Sequence, residues 1–251
     1  MRYKLTLEFD GTHFFGWQVQ RKTGERTVQG VLETALSKLP SMTPTVWAAG
    51  RTDRGVHALA MVAHCDGDGR FVPEKLQRAL NAHLPPDVRV LAIEQVASDF
   101  HAQYDCHFRQ YVYQMRLVRG EMTGTALERH FALHLHQTLD ITAMQTAAPL
   151  FMGKHDFAAL ATQETRGTQR EVFLSRLEQE GRELRYHVAA TGFLRNMVRA
   201  MVGTLLLVGE GKVAPERVLE ILNSKDRAQA GMNVPPHGLY FVKASYVKAR
   251  Y

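Results

Sequence analysis

Between Tyr3 and Val96 the sequence changes period several times, and that succession restricts the fold more than any other feature. Tyr3-Lys-Leu-Thr-Leu-Glu-Phe-Asp10 alternates apolar and polar residues, the pattern of a half-buried strand. Gly11 to Gly16 turns the chain, with Phe14, Phe15 and Trp17 nearby. Thr27 is placed to cap a helix reaching Leu39, with Val28, Leu32, Ala35, Leu36 and Leu39 on one face. Two short apolar runs follow, Thr45 to Ala49 and Ala58 to His64. Pro73 suits the first turn of a second helix carrying Leu76, Ala79 and Leu80, which Pro85-Pro86 stops. Val88 to Val96, rich in β-branched residues, reads as a strand. The order β-α-β-β-α-β is that of a ferredoxin-like split βαβ unit.

The second half repeats this order without residue-level identity. Phe108 to Val118 reads as a strand, and Asp140 caps a helix with Ile141, Met144 and Leu150. Glu171 to Gln179 and Leu184 to Ala190 form a hairpin turning at Glu180-Gly181. A helix over 194–208, a shorter one from Pro215 through Leu222, and a strand from Leu239 to Val247 complete the chain. The expected class is α+β, with two ferredoxin-like (RRM-like) domains, 1–102 and 103–251. Their sheets are expected to join into one mixed, mostly antiparallel sheet with helices on one face. An open opposite face carrying basic and aromatic side chains is a usual platform for RNA.

The two central strands of the first half flank Gly50-Arg51-Thr52-Asp53-Arg54-Gly55-Val56-His57. Loops held by rigid flanks are where reactive side chains usually sit. In an extended approach Arg51 and Asp53 share one side, and a guanidinium near a carboxylate favours its ionised form. By spacing alone, a surface turn with an incidental ion pair is the commoner outcome.

Two further candidates lie in the second half. Alternation places Arg109, Tyr111 and Tyr113 on one face of their strand, a combination able to stack a base and neutralise phosphates, although tyrosines in strands are more often core or edge residues. Arg195 and Arg199 stand four apart on the expected helix, and the apolar residues around Arg199 call for a buried partner rather than water.

Thirty-one Lys and Arg against 25 Asp and Glu give a net charge of +6, which tilts toward an anionic partner such as nucleic acid. Two cysteines, Cys65 and Cys106, make no disulfide framework and point to a reducing compartment. Charges at Arg2, Lys4, Glu8 and Asp10 argue against a signal peptide, and Met197 to Val208 is too short to span a bilayer. The expected location is cytoplasmic. Twelve histidines show no metal spacing; His134-Leu-His136 alone is too little for a site. Neither a phosphate-binding loop nor a dinucleotide fingerprint occurs. A central carboxylate without cofactor signals fits isomerisation or hydrolysis better than redox chemistry, and one carboxylate is too few for a metal-dependent nuclease.

Gly-Arg-Thr-Asp-x-Gly-Val-His resembles the catalytic signature of the TruA family of tRNA pseudouridine synthases. Further motifs follow in the family's order: Phe9-Asp10-Gly11, Gly16-Trp17-Gln18, Asp99-Phe100-His101-Ala102, Phe193 to Arg199, Val202-Gly203-Thr204 and Gly238-Leu239-Tyr240. The resemblance covers essentially the whole chain and implies the pseudouridine synthase fold. It makes Asp53 the nucleophile, Arg199 its pairing arginine, Arg51 the residue that displaces the target base and Tyr111 the stacking tyrosine. Arg54, His57 and Leu239 join Tyr111 as substrate-binding residues. Arg54 stands where the family usually has alanine, and Gln110 where arginine is common. The resemblance further implies isomerisation of uridine at positions 38, 39 and 40 of the tRNA anticodon arm by a homodimer, without cofactor or metal. Asp53 attack at C1′, attack at C6 and a glycal route are all compatible with these residues. The alternative is a non-catalytic tandem RRM-like RNA-binding protein, against which Asp53, Tyr111 and Arg199 argue.

Overall fold

In the computed structural model of the protein, residues 1–20, 24–118, 126–162 and 167–247 are described. The elements run β1 (Arg2–Phe9), α1 (Val28–Ser37), β2 (Trp47–Ala48), β3 (His57–Asp66), α2 (Pro73–His83), β4 (Val88–Val96), β5 (Phe108–Leu117) and β6 (Leu133–Leu135). They continue with α3 (Ile141–Ala147), β7 (Gly153–Asp156), β8 (Gln169–Glu180), β9 (Glu183–Ala190), α4 (Met197–Gly209), α5 (Arg217–Ser224) and β10 (Leu239–Ser245). The class is α+β. The chain divides into two compact units: Met1–Arg109 with the C-terminal strand from Tyr240, and Gln110–Leu239.

In unit 1 the sheet order is β4-β1-β3, with β1 antiparallel to both neighbours. Register places Leu5 opposite Ala63 and Ile93, and Tyr3 opposite Cys65. Tyr3, Leu5, Leu7, Met61, Ala63 and Cys65 are almost fully buried, as are Val28, Leu32 and Leu36 of α1 and Leu76 and Leu80 of α2. These side chains form the core between the helices and one sheet face. Thr27 caps α1 through its hydroxyl, which accepts from the Gly30 amide, and Pro73 opens α2, both as the sequence predicts. The other face is polar where β1 crosses it: Arg2 pairs with Asp66 at 2.8 Å and Lys4 with Glu94 at 3.0 Å, each directly across a strand pair.

The far edge of β3 is shared. β2, only two residues long, meets it at Ala63 and His64, whereas β10 runs parallel to it at His57 and Ala58. The last strand of the chain therefore occupies the edge that a short β2 leaves open, beside the Gly50–His57 loop.

In unit 2 the sheet order is β5-β9-β8-β7, with β6 parallel to β5. Gly181, at φ +57°, turns the β8–β9 hairpin. Helix α4 is buried nearly all round, and the sequence's continuous apolar run is the reason. Gly203 lets the loop before β10 lie directly on the helix, since a Cβ there would stand 1.9 Å from the Met232 carbonyl oxygen. Thr204 Oγ1 accepts from the Gly231 amide at 3.0 Å and fastens the same approach.

The helix expected from Leu194 begins later, at Met197. Asn196 adopts φ +63°, in the left-handed region, and breaks the α geometry in front of it. Arg195 is therefore not on one helical face with Arg199. It is exposed, and its carbonyl accepts from the Thr162 amide at 3.2 Å. Among the described residues, no helix is long and apolar enough to cross a membrane.

Candidate active site

Unit 1 carries Arg51, Asp53 and Arg54 on the loop between β2 and β3, and His57 at the first position of β3. Burial alternates along this loop: Arg51 is exposed, Thr52 buried and Asp53 half-buried. Arg54 is exposed, with its guanidinium 4.1 Å from the centre of the Phe15 ring, a cation–π contact within unit 1. Gly55, at φ +78°, turns the chain, and the Val56 amide donates to the Asp53 carbonyl at 3.2 Å.

The segment Asp10–Trp17 clamps this loop from behind. The Trp17 amide donates to the Thr52 carbonyl at 3.0 Å, and the Gly55 amide to the Phe14 carbonyl at 3.2 Å. Two glycines permit the approach: a Cβ on Gly11 would lie 2.0 Å from the Val56 carbonyl oxygen, and one on Gly16 2.5 Å from that of Thr52. In the sequence these glycines read as a turn among aromatics. Their second task needs the partner loop to be seen.

His57 is 2% exposed and stacks on Tyr240, with ring centres 4.7 Å apart. Its Nδ1 accepts from the Gly11 amide at 3.0 Å, so the neutral ring carries its proton on Nε2. Asp10 lies 3.2 Å from the same nitrogen, and the Thr12 amide and hydroxyl both donate to its carboxylate. Burial raises the Asp10 carboxyl, but the Thr12 bonds together with His57 and His13 outweigh it and the net shift is downward. Burial, with Asp10's charge adding, pushes the Tyr240 phenol well up. These contacts make His57 a buried support between the first turn, the loop and β10.

Unit 2 carries Tyr111, Arg199 and Leu239. Tyr111 is 7% exposed and meets Phe193 edge to face at 5.1 Å. Tyr113, its alternate neighbour, is fully buried and donates to the Pro235 carbonyl at 2.7 Å. Burial pushes the Tyr113 phenol far up, and Arg199's charge opposes that only in part. Arg199 Nε donates to the adjacent Val234 carbonyl at 2.6 Å and Nη1 to Asn196 Oδ1 at 2.8 Å. The apolar flanks of Arg199 call for buried partners, and within the unit these two acceptors supply them. Leu239 is buried at the start of β10, directly after Gly238, where a Cβ would stand 2.8 Å from the Tyr113 ring.

Among the described residues, no group of three or more His, Cys, Asp or Glu is arranged to hold a metal ion. What the loop offers chemically is a single carboxylate, on a backbone fastened by the Asp10–Trp17 segment, with two arginines near it in sequence.

A model of the tRNA pseudouridine synthase family matches residues 6–105 and 147–247. A protein of Thermus thermophilus named tRNA pseudouridine synthase A is 46% identical over 249 residues, 98% of this chain and 96% of that one. One of Erythrobacter litoralis with the same name is 44% identical over 248 residues, covering 98% of each chain. A Clostridium perfringens protein named tRNA pseudouridine synthase A 2 is 42% identical over 247 residues, 97% of this chain and 98% of that one. Identity of this extent over nearly the whole length bears out the resemblance carried by the octet and its accompanying motifs: the chain belongs to the tRNA pseudouridine synthase family.

Proposed function

We propose that this protein converts uridine to pseudouridine at positions 38, 39 and 40 of the tRNA anticodon arm, with Asp53 as nucleophile. The coarser activity comes with the family: an isomerase that makes pseudouridine in tRNA. The reaction breaks the C1′–N1 bond, forms C1′–C5, removes the proton from C5 and returns one to N1. Atoms and electrons balance within the substrate, so what the protein must supply is positioning, a nucleophile and proton transfer.

The observation that carries the proposal is the clamped loop. Asp53 sits half-buried on a loop whose backbone is fixed on either side of it by Trp17 and Phe14. A carboxylate that attacks a flipped nucleoside must be held this way, since geometric precision contributes a large share of such catalysis. Extruding the base costs roughly a few kcal/mol of stacking and pairing. In this reading Arg51, exposed on the same loop, fills the space the base leaves. Tyr111 stacks on the extruded ring, and Arg199 is the arginine that the family resemblance assigns to the catalytic aspartate. Arg54, His57 and Leu239 complete the substrate-binding set, with His57 acting from its buried place behind the loop.

The net charge of +6 supports a polyanionic partner. A homodimer in the cytoplasm completes the proposal. Two free, buried cysteines support a reducing compartment, and burial pushes the Cys65 thiol up to about 12, leaving it unreactive.

The test is tritium release from transcript tRNA labelled at C5 of uridine, with positions mapped by carbodiimide stops. Asp53→Asn keeps shape and hydrogen-bonding capacity but lacks the anion. It is expected to bind tRNA with affinity near the parent's and to release no tritium. Turnover near the parental rate would remove Asp53 from the mechanism. Binding without turnover by the parent itself would favour the non-catalytic reading. Monomer mass in light scattering with full activity would count against the dimer.

A further inference from the structure

We infer that Asn196 is a positioning residue for Arg199, and that its left-handed backbone exists to serve that task. The inference rests on the reading of Arg199 as the arginine that pairs with Asp53.

Asn196 is the N-cap of α4: its carbonyl accepts from the Ala200 amide at 2.9 Å. An asparagine there ordinarily turns its side chain onto the first free amides of the helix. Here it makes no such bond. Its Oδ1 accepts instead from Arg199 Nη1 at 2.8 Å. The atom assignment follows from chemistry, because a guanidinium only donates and the amide nitrogen could not accept. The residue also stands at φ +63° and ψ 3°, a conformation that costs a side-chain-bearing residue free energy and that asparagine tolerates better than most. Two local advantages, the cap and a relaxed backbone, are thus given up together at one residue. Strain persists where the surroundings overdetermine it, and it clusters at functional sites.

The hold on the guanidinium explains the arrangement. Arg199 is also fastened through Nε by the Val234 carbonyl at 2.6 Å. One acceptor would leave the planar fork free to swing about that bond; two acceptors, on Nε and Nη1, fix its plane. The left-handed turn at Asn196 brings Oδ1 to the guanidinium three residues on. The Val234 carbonyl is itself held in place: the Val234 amide meets the Arg199 carbonyl at 3.4 Å, and the neighbouring Pro235 carbonyl accepts from Tyr113. Helix α4, strand β5 and the loop before β10 therefore converge on the orientation of one side chain.

The experiment uses the full chain, transcript tRNA labelled at C5 of uridine, and three variants. Asn196→Gly keeps access to the left-handed backbone and deletes the acceptor. It is expected to lower kcat about 10- to 100-fold, the loss from removing a hydrogen bond to a charged group, with KM for tRNA and the melting temperature unchanged. Asn196→Asp keeps both the backbone preference and an acceptor oxygen. It should recover most of the lost kcat at pH 8. Arg199→Ala is the control, expected to be inactive. A parental kcat in Asn196→Gly beside an inactive Arg199→Ala would overturn the positioning inference and leave the reading of Arg199 intact. So would equal losses in the Gly and Asp variants. A parental rate in Arg199→Ala would overturn the reading itself.

Discussion

Gly16→Ala tests whether the first turn is part of the catalytic apparatus. The added methyl group would lie 2.5 Å from the Thr52 carbonyl oxygen, 3.1 Å from the Asp53 carbonyl carbon and 3.2 Å from the Arg54 amide nitrogen. All three are backbone atoms, so no flexible side-chain end can move aside. Restoring ordinary van der Waals separation requires the loop or the turn to shift by roughly 1 Å. The backbone at φ +89° adds about 1–2 kcal/mol of strain for alanine, and loss of the Trp17–Thr52 hydrogen bond about 1 kcal/mol more. Together these predict destabilisation of about 2–3 kcal/mol, read as a fall of about 4–12 °C in melting temperature. The displaced atoms adjoin Asp53, and a 1 Å misplacement can cost about 100-fold in rate. Tritium release well below the melting transition should therefore show kcat reduced by about that factor, with tRNA binding by filter retention little altered. A variant with parental kcat and melting temperature would show that the turn accommodates the methyl group and that the clamp does not position Asp53.

Three further outcomes are expected. For Tyr111, the Phe variant keeps the ring and should retain most turnover, whereas Ala loses about 1–3 kcal/mol of base stacking; a Phe variant that binds tRNA but does not turn over would assign the hydroxyl to proton transfer. Thr52 Oγ1 is buried with no hydrogen-bond partner among the described residues, so Thr52→Val, nearly equal in volume, should leave the melting temperature unchanged or raise it, and a clear fall would refute the orphaned hydroxyl. His64 is held neutral: burial first, then the charges of Arg2 and His101, lower it from 6.5 to about 4, and its Nδ1 accepts from the Ala102 amide at 3.1 Å. The unfolded chain therefore takes up this proton more readily, so stability in urea should fall as the pH drops from about 6.5 toward about 4. His64→Gln should flatten that dependence, and an unchanged slope would contradict it.

Much of the architecture was legible because its signals are local. The alternation in β1, the Thr27 cap, Pro73 at the start of α2 and Gly181 in the β8–β9 turn each act on a few neighbouring residues, and each element stands close to where its pattern ends. The octet was legible for another reason: its residue types, and the motifs that follow it, are those of a family. The positions that local patterns describe poorly are those whose conformation is set by something distant. Only two residues of the run Thr45 to Ala49 form β2, and the edge of β3 beyond it is taken by a strand from the far end of the chain. No pattern within 45–66 encodes that partner. The apolar periodicity through Leu194 runs on into α4, but the helix starts only at Met197, because Asn196 stands in the left-handed region with its side chain turned to Arg199. Gly11 and Gly16 read as a turn because a sequence shows only that a side chain is absent. Which carbonyl occupies the vacated space, Val56 for one and Thr52 for the other, is decided by the packing of two loops some forty residues apart. Sequence thus determined the elements and the residue types of the site, since both follow from short-range preferences and side-chain chemistry. Tertiary structure decided what holds the Asp53 loop in place and brought the Val234 carbonyl to Arg199, because these supports are backbone groups brought close only by long-range packing.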